Sequence, residues 1–267
     1  MDPKLRAPGD VGRDLDREFG DGPPPAIRDS APDIRAPIDE GAPVSGHVPA
    51  RESRSSMVDA PEHDWGHAAR LIYPILRPVG TDGLRLDDVD TDNLAAHASQ
   101  AHSQPLVDDG PAGLVVVYAM QAGGFDVIVN GDHLLSWGIP AAEIRQVALR
   151  NLTAWSSEAA WTDEVSGDRR LLSSDTGDGW DAVRVLLAEV RDHLARELGA
   201  AGRVLVGLPE RHLLIAGTLR PGDDEFAALF ADFVVEHSGG ADEPIDRRVF
   251  ELSGGGLVEY AGAPARG

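Results

Sequence analysis

The amino-acid sequence predicts an α+β fold: a mixed, mostly antiparallel sheet packed with helices, preceded by a disordered Pro-rich segment over residues 1–56. Two observations carry the folded part. Apolar strand-like runs come in adjacent pairs separated by short Gly- or Pro-containing turns, which are hairpins rather than the steps of a βαβ wheel. Between them lie amphipathic stretches with helical spacing, the clearest at Asp178–Leu198. The third observation concerns the beginning of the chain, where prolines at 3, 8, 23, 24, 25, 32, 37, 43 and 49 stand among mixed charges with no 3.6 or 2.0 period. Such a segment buries too little surface to offset its ordering entropy. A single α+β domain is expected over residues 57–262, and Met57, directly ahead of the first plausible element, is expected to be the true start.

From residue 61 the pattern changes. Pro61–Tyr73 reads as a short helix ended by Pro74, and Asp92–Ala101 as another. Leu114–Met120 is a continuous apolar, β-branched run, a strand covered on both faces. Gln121-Ala122-Gly123-Gly124 turns it into Phe125–Asn130. Pro140 suits the first turn of a helix with Glu143 near its positive end, and Ile144, Val147, Ala148 and Leu152 set the inward stripe. Arg169–Ser174 reads as a strand. In the helix that follows, Val183, Leu186, Leu187, Val190, Leu194 and Leu198 share one face, and Gly199 stops it. Val204–Leu208 and Leu213–Thr218 flank a tight turn at Pro209-Glu210-Arg211-His212. A helix with Asp223, Asp224 and Glu225 in its first turn points Phe226, Leu229, Phe230, Phe233 and Val234 inward. Arg248–Leu252 and Leu257–Tyr260 close the chain as a hairpin.

Composition excludes several chemistries. The 267 residues contain no cysteine, so iron–sulfur clusters, thiolate metal sites and thiol nucleophiles drop out together. Lys4 is the only lysine and lies in the Pro-rich segment. A P-loop nucleotide site, a protein kinase and a pyridoxal-phosphate enzyme each need a lysine inside the fold, so none is expected. With 45 acidic and 24 basic residues the net charge is −21, which disfavours nucleic acid and anionic membrane surfaces and suits a basic partner. The longest clean apolar run, Leu114–Met120, is too short to span a bilayer. The cytoplasm is the expected compartment.

The ordered set of short motifs resembles the YtpQ-like bacterial family (domain of unknown function 1444) over residues about 67–260. Arg70-Leu-Ile-Tyr73-Pro74-Ile-Leu-Arg77 is similar to that family's Arg-x-Tyr-Pro-x-x-Arg segment, and Leu149-Arg-Asn151-Leu152 to its helix-ending Asn-Leu. Asp178-Gly179-Trp180-Asp181-Ala182 resembles its Asp-Gly-Tyr-Asp-Ala motif, and Val206-Gly-Leu-Pro209 its Val-Pro turn. Trp180 stands for the family's Tyr, Val183 for a Ser, and His212 where Asp is frequent. The resemblance implies a fold and a lineage but no activity.

Candidate site residues follow from residue type and place. Gly177-Asp178-Gly179-Trp180-Asp181-Ala182 matches the letters of a dinucleotide fingerprint, but Asp175, Asp178 and Asp181 put carboxylates where a pyrophosphate needs bare N–H groups. The favoured reading is a helix cap by Asp178 with Asp181 completing a box. The functional alternative is a metal or cationic-ligand site at Asp175 and Asp178, whose oxygen ligands suit Mg²⁺ or Ca²⁺. Arg211 and His212, in the charged turn, become an anion clamp and a base if the sheet order brings them beside Asp175; otherwise they are ordinary polar loop residues. Asn151 falls on an inward stripe, so its amide is expected to be buried and hydrogen-bonded, a helix-end bond being favoured. His63 and His67 have the i, i+4 spacing of a zinc pair, yet Gly66 lies between them and no third ligand is evident. The tryptophans at 65, 137, 155, 161 and 180 read as packing residues, with Trp155 and Trp161 placed to line a groove. No G-x-S-x-G esterase elbow is present.

These residues favour a non-catalytic binding or regulatory domain contacting a protein or small ligand. The alternative is a metal-assisted hydrolase centred on Asp175 and Asp178, with His212 or Asn151 in support. An acidic antagonist of a basic protein is a third reading, resting on charge.

Overall fold

Strands of the described residues pair into two sheets, not one. The computed structural model describes residues 63–96, 103–122 and 125–262. The segment expected to be disordered over 1–56, the start at Met57 and the second half of the helix expected over Asp92–Ala101 lie outside the described residues.

The first sheet has five strands: β1 (Ile72–Arg77), β2 (Leu84–Arg85), β3 (Leu106–Asp109), β4 (Val115–Ala122) and β5 (Phe125–Ile128). β4 is its axis. It pairs antiparallel with β1 on one side and, on the other, with β3 and then β5. Only β2 and β3 run parallel, which makes this sheet mixed. Val116–Met120 are all buried, as a continuous apolar run requires. Helices α1 (Trp65–Ala68), α2 (Thr91–Ala96), α3 (Gly131–Trp137) and α4 (Ala141–Ser156) accompany it. The helix expected over Pro61–Tyr73 shrinks to α1, and Tyr73 and Pro74 belong to β1. Pro74 is tolerated because β1 is an edge strand whose outer side needs no N–H. Unforeseen, α3 is capped by Asn130, whose side chain accepts from the His133 N–H at 3.2 Å, and it ends at Gly138 with φ 63°.

The second sheet is wholly antiparallel: β6 (Thr162–Ser166), β7 (Arg169–Ser174), β8 (Arg203–Glu210), β9 (Leu213–Leu219), β10 (Val249–Ser253) and β11 (Gly256–Glu259), in the order β11-β10-β8-β9-β7-β6. Two helices flank it, α5 (Ala188–Leu198) and α6 (Asp224–Gly240). The long helix expected from Asp178 is shorter than its pattern. A 3-10 turn covers Ala182–Leu186, the extended Leu187 breaks it, and only then does α5 begin. No described helix is long and apolar enough to cross a membrane.

Alternation along the central strands places the core. Val204, Val206, Leu208, Leu214 and Ala216 join the main cluster, which also draws on β1, β4, α4 and α5. Their neighbours Leu205, Leu213, Ile215 and Leu219 pack on the opposite face with Phe226, Phe230 and Val234 of α6. Strands buried on both faces read as unbroken apolar runs, and each fully buried Leu or Phe contributes about 1.5–3 kcal/mol. Gly207 of β8 lies tight beneath α6: a Cβ there would lie 2.6 Å from Val234 Cγ2 and 3.0 Å from Ile215 Cγ2. Gly207→Ala should therefore destabilise the fold by about 1–3 kcal/mol through overpacking, read as a lowered urea midpoint with unchanged m-value.

Candidate functional site

The loop leaving β7 is organised by a buried ion pair. Arg184 is 1% exposed and Asp181 0%. The guanidinium donates to Asp181 (Nη1–Oδ1, 2.5 Å), Asp178, Ser174 Oγ (3.2 Å), Thr176 Oγ1 (3.3 Å) and Ser156 Oγ (3.3 Å). Asp181 in turn accepts from Ser174 Oγ at 2.6 Å and from the Thr176 N–H at 3.1 Å. This corrects the cap expected at Asp178. Its Oδ1 accepts from the Trp180 N–H at 2.9 Å inside the loop, and Gly177 and Gly179 hold positive φ of 73° and 84°. The backbone cannot start a helix there, and Asp181 spends its oxygens on the loop.

A second guanidinium joins the two sheets. From the turn between β8 and β9, Arg211 donates through Nε to the Gly179 carbonyl (2.9 Å) and through Nη2 to the Tyr73 hydroxyl of β1 (3.0 Å). Its Nη1 donates to Asp126 of β5 and to Glu243 (3.0 Å). Tyr73, fully buried, donates its hydroxyl to Asp126. Burial, reinforced by that carboxylate, holds the phenol's pKa well above its ordinary value. Burial works against the Arg211 charge, but its hydrogen bond to Asp126 leads the interactions that outweigh it, so its pKa also rises. Trp180 stacks on Trp155 of α4 with centroids 4.4 Å apart and meets the Tyr73 ring edge-on at 5.6 Å.

The five candidate residues do not converge. The turn and the β7 loop do lie together, because β7 pairs with β9, but their side chains part. Asp178 turns to Arg184 and Arg211 to Tyr73, while His212 faces the end of α6 beside Glu236 and Asp242. Asn151 sits apart in α4, donating to the carbonyls of Ala69 and Ile72, both at 2.8 Å; it fastens the entry to β1. Asp175 is exposed at the margin of a groove. Both oxygens of Asp178 are committed inside the loop, and among the described residues no group of three or more His, Asp or Glu could hold a metal ion. His63 and His67 are exposed, and only His67 lies in α1.

The feature that sequence reading missed is that groove, about 910 Å³, between α6 and the outer face of β6, β7 and β9. Its floor is Leu171, Leu213 and Ile215, and its wall is the flank of α6. Leu229, expected inward, is 54% exposed and lines the groove with Phe233. α6 carries a wider apolar face than the sheet beneath it covers. Around the margin stand Glu164, Asp175 and Glu210; among the described residues no ion pair or side-chain hydrogen bond is recorded for these three carboxylates. The one guanidinium in the lining, Arg169, is held by Asp223 (2.8 Å) and Glu225 (2.8 Å). Strand β6 was legible after all: Gly167-Asp168 between Thr162–Ser166 and Arg169–Ser174 is a two-residue hairpin signal.

No protein-family model, curated protein or solved structure matches this chain.

Arg184→Met, which strands the Asp181 carboxylate without its partner, should cost about 3–5 kcal/mol. Adding Asp181→Leu should restore part of that loss in urea titrations, because the uncompensated charge then disappears.

Proposed function

We propose that this chain is a non-catalytic binding module that docks a basic, apolar segment of a partner protein in the groove between α6 and strands β6, β7 and β9. The observation that carries this reading is a groove whose exposed apolar surface centres on Leu229, with Leu171 and Phe233 half-buried beside it, bordered by three carboxylates to which no described residue is bonded. Ligands bind preferentially in concave, partly apolar surfaces with a few placed polar groups, and the acidic margin selects for lysine or arginine on whatever enters. The other polar clusters support the same reading from the opposite direction. Asp178, Asp181, Arg184, Tyr73 and Arg211 spend their hydrogen bonds on one another, on neighbouring side chains and on the backbone, as scaffolding does.

An acidic margin also disfavours nucleic acid and anionic lipid, and a cytoplasmic setting belongs to the same proposal. So does descent from the YtpQ-like family. Its support is that the motif segments pack together: Asn151 bonds to Ala69 and Ile72, and Tyr73 meets Trp180.

A fluorescein-labelled peptide of about eight lysines and leucines, the length of a long strand, should bind the full chain in anisotropy titrations, and its glutamate–leucine counterpart should not. Leu229→Asp should weaken binding about ten-fold although it makes the protein more acidic, since it removes apolar seating. Failure of the lysine peptide to bind, or undiminished binding to Leu229→Asp, overturns the proposal.

A further inference from the structure

We infer that the partner segment enters as an extended strand that adds to the free edge of β6, making a seventh strand of the second sheet; this rests on the groove reading above and deepens it. Among the described residues β6 ends the strand order and pairs only with β7. All five of its residues, Thr162 to Ser166, are exposed. The hairpin closes on the pair Ser166–Arg169 across Gly167, whose φ of 64° suits the first position of a type II′ turn. In a two-residue hairpin the closing pair is hydrogen-bonded and the pairs alternate thereafter. Thr162, Glu164 and Ser166 therefore bond to β7, while the N–H and C=O groups of Asp163 and Val165 face outward. They are ready to pair with an added strand.

The register also says what the strand's two faces meet. Glu164 pairs with Leu171 and Thr162 with Ser173, and Glu164, Leu171 and Ser173 all line the groove. Alternate side chains of an added strand would lean over Glu164 toward Leu229 and supply the wall that the groove lacks opposite α6. The remaining side chains would lie beside Val165, 67% exposed, near Asp163 and close to Glu197, which shares Arg170 with it. Acids thus stand on both faces of the edge, and alternation of apolar and cationic residues satisfies either face. A second copy of this chain is the wrong occupant. Antiparallel self-pairing of β6 centred on Glu164 sets that carboxylate against itself, between two chains of net charge −21.

The test uses the full chain and three lysine–leucine peptides of one composition: strictly alternating, helix-periodic (leucines at i, i+3, i+4, i+7) and blocked. The alternating peptide should bind about ten-fold more tightly than either isomer. On binding it should slow amide exchange at Asp163 and Val165. Val165→Pro removes an outward N–H where an edge strand tolerates proline. It should weaken the alternating peptide about ten-fold, the worth of one or two backbone hydrogen bonds, with little change in melting temperature. Tighter binding of the helix-periodic isomer, or unchanged exchange at both amides, overturns strand addition while leaving the groove reading intact. A protein that binds none of the three loses both. A concentration-dependent dimer with protected Asp163 and Val165 amides and no added peptide would make a second copy the occupant and likewise overturn the inference.

Discussion

Two strands that are apolar on both faces constrain everything else in this molecule. β8 and β9 alternate their side chains between two cores, so neither face of these two strands can meet water. One face is covered by a whole layer: the first sheet with α4, together with α5. The other has only α6, which packs on β8, β9 and β10 and reaches β7 through Phe226, set against Leu171 and Arg169. A single helix is about 10 Å wide and strands are spaced at about 4.8 Å, so one helix covers two or three strands of six. The outer face of β6 is left over, with the margin of β7 beside it. Layer arithmetic thus leaves room for a groove at this edge of the sheet, and what lines it is set by the sequence.

Where the layers meet, arginine does what packing cannot. Arg211 links β1 and β5 of the first sheet to the loop and hairpin of the second through four different partners. Its planar fork fixes direction as well as distance. Arg184 does the same within the loop that passes between the layers. Buried charges of this kind contribute little net stability over an apolar replacement. What they supply is a single arrangement: sliding one sheet on the other would separate Arg211 from Tyr73 and Asp126 and leave its half-buried charge short of partners, whereas sliding an apolar interface would cost much less.

Local pattern made most elements legible. Arg169–Ser174 was bounded to the residue, α4 was placed with its inward stripe, and both later hairpins were found with their turns, because each is specified by neighbours in sequence. The failures share one cause. Asp178–Leu198 has helical spacing throughout, but Asp181 and Arg184 are claimed by Ser174 and Ser156, and those tertiary bonds hold the first part of the segment out of the α-helix. Tyr73 and Pro74 looked like a helix end until β4 gave β1 a partner. Leu229 carries the right letter for an inward position, yet nothing in α6 states how far the sheet beneath it extends. The candidate site depended on such long-range facts, which is why its five residues were well chosen as polar landmarks and wrong as a cluster.

The distribution of charge bears on what the groove is for. The acids exceed the bases by 45 − 24 = 21, so many carboxylates must go without an arginine, and the folded unit chooses which. Arg145, Arg169, Arg170, Arg203, Arg211 and Arg248 each hold one or more acids, most of them tying one element to another. The carboxylates left at the groove include Glu164, on the face of β6 that looks across the apolar floor. Selection for solubility alone would scatter surplus acids over convex surface, where each is fully hydrated. Keeping some at the margin of a partly apolar groove, next to edge groups of β6 that no described residue pairs, fits the proposed docking of a cationic segment.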